Sequence, residues 1–116
     1  MNNSVNKSIN ISKDFTDAPG ARFKTDGKFS GEEFYESILK PNFQSILDDE
    51  SNGILFIDLD DTYGYGPSFL SETFGRLYTD FGGEEIWKHL KFKSEDNKLL
   101  IDLIHEYAKE YQETSN

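Results

Sequence analysis

Three carboxylates, Asp58, Asp60 and Asp61, leave the end of the most apolar run in the chain, Ile54-Leu55-Phe56-Ile57, and Ser68 follows across the turn Gly64-Tyr65-Gly66-Pro67. Carboxylates at the carboxyl end of a strand occupy the place where open α/β sheets bind ligands, and two of them can hold Mg²⁺ or accept a phosphoryl group. No lysine, serine or threonine stands at a spacing diagnostic of a phosphoacceptor site, so solvated strand-end carboxylates are the simpler reading and no metal is expected. Pro67 suits the first position of a helix, because its missing N–H would have no intrahelical partner there. That puts Ser68 in the first turn, where a phosphate gains from free backbone N–H groups and from the helix dipole. A phosphorylation switch and a plain capping hydroxyl both fit this placement. Tyr63 and Tyr65 flank the turn, either as exposed aromatics of a protein-binding patch or as core packing.

Other chemistries find little support. Gly64-Tyr65-Gly66 matches neither GxxxxGK[ST] nor GxGxxG, so it reads as a tight turn rather than a phosphate cradle. His89 and His105 have no ligand-spaced partner and the chain has no cysteine, which leaves no basis for a zinc site or a catalytic triad. Lys88, Lys91 and Lys93 form one local basic patch, read as an exposed strand face.

The elements that position these residues follow from periodicity. The unbroken apolar run 54–57 predicts a central strand of a largely parallel sheet, covered on both faces. Leu70, Phe74, Leu77 and Phe81 recur at helical spacing and predict a helix from Pro67 to the glycine pair Gly82-Gly83. Upstream, Val5, Ile9 and Ile11 suggest a first strand. Residues 13–25 read as a long loop, with Ala21-Arg22-Phe23 as a short extended segment. Ser30 and Glu33 have the spacing of a capping box, and Phe34, Ile38 and Leu39 supply the apolar face of the helix that it opens. Pro41 either kinks that helix or opens a second one carrying Phe43, Ile46 and Leu47. Downstream, residues 84–93 contain a short strand, and Ser94-Glu95-Asp96 marks the start of a helix running to about Gln112. The outcome is an α/β sandwich with a mixed or parallel sheet and about three to four helices. Residues 1–20 form its N-terminal strand and loop, 21–112 its body, and 113–116 a frayed end.

Composition bounds the function. At 116 residues the chain fits one domain, and ten Phe, six Tyr and one Trp supply core material. No apolar run reaches the roughly 20 residues of a membrane span, no signal peptide is evident and cysteine is absent, so a cytoplasmic location is expected. The net charge of −10 and pI near 4.5 repel a phosphate backbone, which argues against nucleic-acid binding; the charge simply keeps a small protein in solution or, in the alternative, meets a basic protein surface.

The segment FIDLDDTYGYGPSFLSETFGRLY, with FSGEEFYESILKPNF upstream, resembles the STAS-like domain family of unknown function (DUF4325 type), a distant relative of the STAS domains of bacterial anti-sigma-factor antagonists. The resemblance runs from Ala21 to Lys93. In the antagonists a strand ends in Asp-Leu and an Asp-Ser-Ser-Gly-Leu motif opens the next helix, with its second Ser as the phosphorylation site. On this chain the strand end falls on Asp58-Leu59 and the motif on Gly66-Pro67-Ser68-Phe69-Leu70. Gly66 then replaces the acidic residue, Pro67 the first Ser, and Phe69 the small Gly. The resemblance implies a sheet-and-helix signalling module without enzymatic activity or cofactor, and a protein partner such as a histidine-kinase-like ATPase. The implied contact surface is Tyr63, Gly64, Tyr65, Gly66, Pro67, Ser68, Phe69 and Ser71. The alternative drawn from charge alone is an acidic inhibitor or decoy, of the kind carried by mobile elements or phage-defence cassettes, that occupies a basic site on its target.

Overall fold

In the computed structural model, which describes residues 6–49 and 53–115, three short segments pair into one sheet: β1 (Asn6–Asn10), β2 (Ile54–Asp58) and β3 (Leu90–Lys93). All pairing is parallel, in the order β1-β2-β3, so β2 is central. Rungs across the sheet alternate in character. Ile9, Ile57 and Phe92 share one rung, whereas Ser8, Phe56 and Lys91 share the next. Ile9, Leu55, Ile57 and Leu90 are buried, but Phe56 on the opposite face is 39% exposed. The expectation that β2 is covered on both faces is therefore corrected. Both crossovers step the same way across the sheet, which places both helical layers on the same side and leaves the other face open.

The helices are α1 (Ile11–Asp14), α2 (residues 31–48), α3 (residues 67–80) and α4 (Leu100–Ser115), with 3₁₀ turns at Lys24–Asp26 and Gly83–His89. Ile11 opens α1 rather than extending the first strand, because the Asn10 side chain accepts the Lys13 N–H while Asp14 accepts the Asn10 N–H. Val5 lies outside the described residues. Ala21-Arg22-Phe23 forms no strand; its carbonyls instead cap α2, with Ala21 accepting from Gly31 N–H and Arg22 from Glu32 N–H. Ser30 Oγ accepts the Glu33 N–H at 3.1 Å. Of the capping box, only this half forms among the described residues, since Glu33 makes no return bond.

Helices α2 and α3 each carry a wide π turn, at Tyr35–Leu39 and at Ser71–Gly75. Pro41 neither breaks α2 nor starts a new helix. The ring of a proline clashes with the carbonyl four residues earlier in an α-helix, and the π turn just ahead of it supplies the room. In α3 the Thr73 hydroxyl donates to the carbonyls of Phe69 (2.8 Å) and Leu70 (3.2 Å), which widens the helix locally. A polar seam runs between the two helices. Tyr35 Oη donates to Asp80 at 2.6 Å, and the Arg76 guanidinium lies 4.4 Å over the Tyr35 ring.

The core lies between the sheet and these helices and is rich in aromatic contacts, among them Phe34 with Phe69 and Phe74 with Phe92. Leu70, Phe74 and Leu77 are buried as the helical spacing predicts, and Phe81 packs against Phe43 at the end of α3. The last helix starts later than the sequence suggests. Ser94-Glu95-Asp96 lies in a loop, Asn97 Oδ1 accepts the Leu99 N–H, and α4 begins at Leu100 and continues to Ser115, past the expected fraying point. Leu100, Ile104 and Ala108 bury its inner face.

Helix α4 approaches α3 at Gly75, where a Cβ would lie 2.4 Å from Tyr111 Cβ. A rigid contact that short cannot be relieved by a side-chain rotation. Gly75→Ala is therefore expected to push α4 outward and cost about 1–3 kcal/mol, lowering the melting temperature by about 4–8 °C per kcal/mol in a domain of this size. Calorimetry checks this, and an unchanged melting temperature would refute the tight packing.

Candidate functional site

The carboxyl ends of the strands meet the loop that follows β2, the loop that follows β3 and a segment near the N-terminus. Asp60 joins the first two. Only 4% exposed, it accepts the N–H groups of Glu95 (2.8 Å) and Asp96 (2.9 Å) on one carboxylate oxygen and Lys93 Nζ (3.1 Å) on the other. These donors, the Asp96 N–H first among them, hold its pKa below the usual aspartate range. Asp61 donates its N–H to Asp96 Oδ2 and accepts from Ser12 Oγ through its carbonyl. Asp58 Oδ1 accepts the Asp60 N–H, and Lys93 Nζ stands 3.7 Å from Asp58 Oδ2. The acidic trio thus knots loops together, and Asp60 already has its donors in place. Among the described residues no group of three or more acidic, histidine or cysteine side chains is arranged to hold a metal ion.

The turn 63–66 is fixed from its other side. Tyr63 N–H donates to the Asp17 carbonyl and Gly66 N–H to the Pro19 carbonyl. At Gly66 a Cβ would sit 2.9 Å from the Gly20 carbonyl oxygen, so only glycine allows the two backbones to lie this close. Tyr65 turns inward; its hydroxyl donates to the Leu59 carbonyl, and burial pushes its pKa up. Tyr63 turns outward and is 89% exposed. On one side of it lies a hollow of about 190 Å³, lined by Leu59, Thr62, Tyr65, Ser94, Asp96 and Leu100 among others; on the other is an open groove against residues 18–20.

Gly66 is the cap residue of α3 and Pro67 its first residue, as expected. Ser68 follows in the first turn and is half-buried. Its hydroxyl caps nothing: neither it nor the backbone N–H groups of Ser68 and Phe69 has a hydrogen-bond partner among the described residues. The start of α2 differs, since its first three N–H groups are all satisfied. One turn after Ser68, Glu72 is 4% exposed and pairs with Arg76 (3.3 Å) and Arg22 (3.8 Å). Burial raises its pKa while the two arginines oppose that shift.

The expected contact surface is brought together only in part. Tyr63, Gly64 and Pro67 are exposed, and Tyr65, Gly66, Ser68 and Ser71 are half-buried. Phe69 is fully buried among Phe15, Phe34 and Tyr65, so its side chain is a core residue and not a surface contact. Of the basic patch, Lys88 pairs with Glu85 and Lys93 with Asp58, Asp60 and Glu95, while Lys91 is exposed on the open sheet face. His89 contacts the Gly53 carbonyl oxygen at 3.3 Å, whereas His105 stacks on Trp87 at 3.9 Å. From the sequence alone, the loops at residues 17–20 and 94–97 and Arg22 have no part in the site. Ala18-Pro19-Gly20 has turn-forming composition and Ser94-Glu95-Asp96 that of a helix start, but what they meet depends on pairings distant in the chain.

The fold is thus a parallel βαβαβ sheet with its helices on one face and a Gly-Pro-Ser helix start beside the carboxyl end of the central strand. The chain belongs to the family of STAS-like domains of unknown function (DUF4325), whose model matches residues 30–100. No curated protein and no solved structure matches it. Among the described residues no helix is long and apolar enough to cross a membrane.

Asp60→Ala leaves two backbone N–H groups and an ammonium without their acceptor, and is expected to cost about 1–3 kcal/mol at pH 7. A carboxylate with a depressed folded pKa stabilises above its unfolded pKa, and that stabilisation is lost as pH falls through the folded value. The gap between wild type and Asp60→Ala should therefore narrow below about pH 4. Urea unfolding at pH 7 and pH 3 tests this, and a gap that stays constant would show that Asp60 does not act through its charge.

Proposed function

We propose that this chain is a signalling module that acts by binding a protein partner through residues 63–68 and Ser71, with Ser68 as a phosphorylation switch. One observation carries the reading: at the start of α3 the Ser68 hydroxyl and the N–H groups of Ser68 and Phe69 have no hydrogen-bond partner among the described residues, beside an almost fully exposed Tyr63. A capping role for Ser68 would use that hydroxyl, and among the described residues it makes no such bond. A phosphate there adds about −1.5 to −2 charges and three acceptor oxygens at the positive end of a helix dipole. It also stands one helical turn from Glu72 and competes with that carboxylate for Arg22. Pro67 holds the backbone of the turn in place in both states. A histidine-kinase-like ATPase fits the role of partner and kinase, following the antagonists that the family resembles.

The acidic decoy is the second reading. It is favoured by the net charge of −10 and does not need Ser68.

Capture of the partner, intact-mass analysis of the captured chain and titration of variants separate the two. Ser68→Ala should leave the fold unchanged, because no hydrogen bond is lost. Ser68→Glu should change partner affinity by more than about tenfold, equivalent to more than roughly 1.4 kcal/mol. Equal affinities for wild type, Ser68→Ala and Ser68→Glu, together with a steep fall in affinity with salt, would replace the switch with the decoy.

A further inference from the structure

The hollow beside Tyr63 has features that residues 63–71 alone do not explain. Its floor is apolar, formed by Leu59, the Tyr65 ring and Leu100, and its rim carries Thr62, Ser94 and Asp96. Of the two most exposed large apolar side chains among the described residues, Tyr63 at 89% lines the hollow, and Leu99 at 68% is next in sequence to the lining residue Leu100. Isolated exposed apolar residues are ordinary, but an almost fully exposed tyrosine on the wall of a cavity marks a contact surface. At about 190 Å³ the cavity falls below the roughly 300–1,000 Å³ of small-molecule sites and suits a single side chain.

The charge around it is predominantly negative. Asp58, Asp60, Asp61, Glu95 and Asp96 gather at this end of the sheet, against Lys93, which is shared among Asp58, Asp60 and Glu95, Lys13 in α1 and Lys98 in the loop before α4. Asp96 gives one oxygen to the Asp61 N–H and keeps the other side of its carboxylate on an exposed rim. A neutral or anionic side chain would leave this potential unanswered. A cation with an apolar stem meets both the floor and the rim.

We infer that the hollow is the seat of a basic side chain, arginine in preference to lysine, projecting from the protein partner. Its stem lies on Leu59 and Leu100, its guanidinium faces Asp96, and the exposed Tyr63 ring stacks on its plane. The partner is then a protein with a basic, apolar-flanked segment. This rests on the binding role proposed above and adds the chemistry of the contact.

The test uses the full chain and does not require the partner. Backbone amide spectra are followed while N-acetyl-arginine-N-methylamide is added, with the norleucine and glutamate analogues as controls. Saturable shifts confined to residues 59–65 and 94–100 are expected for arginine. Norleucine should bind about fivefold more weakly and glutamate should cause no shift, as one partly exposed ion pair requires. Raising ionic strength from about 0.01 M to about 0.15 M should weaken the arginine probe. Tyr63→Ala should weaken it at an unchanged melting temperature. Lys98→Glu, at an exposed residue with no carboxylate partner among the described residues, should tighten it by about two- to fivefold. Equal binding of arginine and norleucine, shifts elsewhere on the chain, or no shift at all would overturn the inference. Such a result leaves the binding role of residues 63–71 standing, because that role fails only through the Ser68 variants and the captured partner.

Discussion

Two crossovers that step in the same direction across a parallel sheet constrain everything else in this protein. They place α2 and α3 side by side on one face, so the core is a single layer between that face and the helices. They also remove the point at which helices would diverge to opposite faces of the sheet. Open α/β sheets bind nucleotides in the crevice that such a divergence creates. Here loops lie over the carboxyl edge of the sheet, with a hollow of about 190 Å³ on one side of Tyr63 and an open groove on the other. The topology thus makes the loops themselves the exposed surface at this end of the sheet.

Those loops need fixing, and the chain fixes them with polar atoms rather than with apolar packing. Asp60 binds the loop after β3, while the carbonyls of Asp17 and Pro19 bind the turn after β2. Hydrogen bonds to an ionised, buried carboxylate are stronger than neutral ones, which suits a short loop with little core beneath it. The residues that look most reactive in the sequence are thus spent on architecture. What remains unspent is Tyr63, the edge of the hollow and the start of α3.

The division between what could and could not be read from sequence follows the range of the interactions involved. Pro67 at the start of α3, its apolar stripe at Leu70, Phe74 and Leu77, and Ser30 as the cap of α2 were legible because each depends on neighbours within a turn or two. The parallel central strand was legible too, but its cover was not. An apolar run reports that a strand is buried without saying on which faces, and Phe56 sits on the face that the one-sided crossovers leave open. Phe69 misled for a similar reason. Its place in the motif suggested a surface contact, whereas the first turn of α3 buries it among Phe15, Phe34 and Tyr65. The late start of α4 was hidden because Ser94-Glu95-Asp96 has the composition of a helix start, yet the Glu95 and Asp96 N–H groups are claimed by Asp60 from far along the chain.

The departures from the antagonist motif now have physical content. An acidic residue at Gly66 would need a Cβ within 2.9 Å of the Gly20 carbonyl oxygen, so the loop at residues 17–20 and an acidic start to the motif exclude each other. With proline at 67, the helix start is set by the ring rather than by a hydrogen-bonding side chain, and the first free N–H groups fall on Ser68 and Phe69. The small residue that the antagonists carry at the next position keeps a surface accessible; this chain fills that position with a core aromatic and moves its exposed aromatic to Tyr63, on the opposite side of the turn. The exposed aromatic of the turn therefore lies away from α3 and toward the carboxyl end of the sheet, beside Asp96 and the hollow, while the inner side of the helix start is given over to core packing.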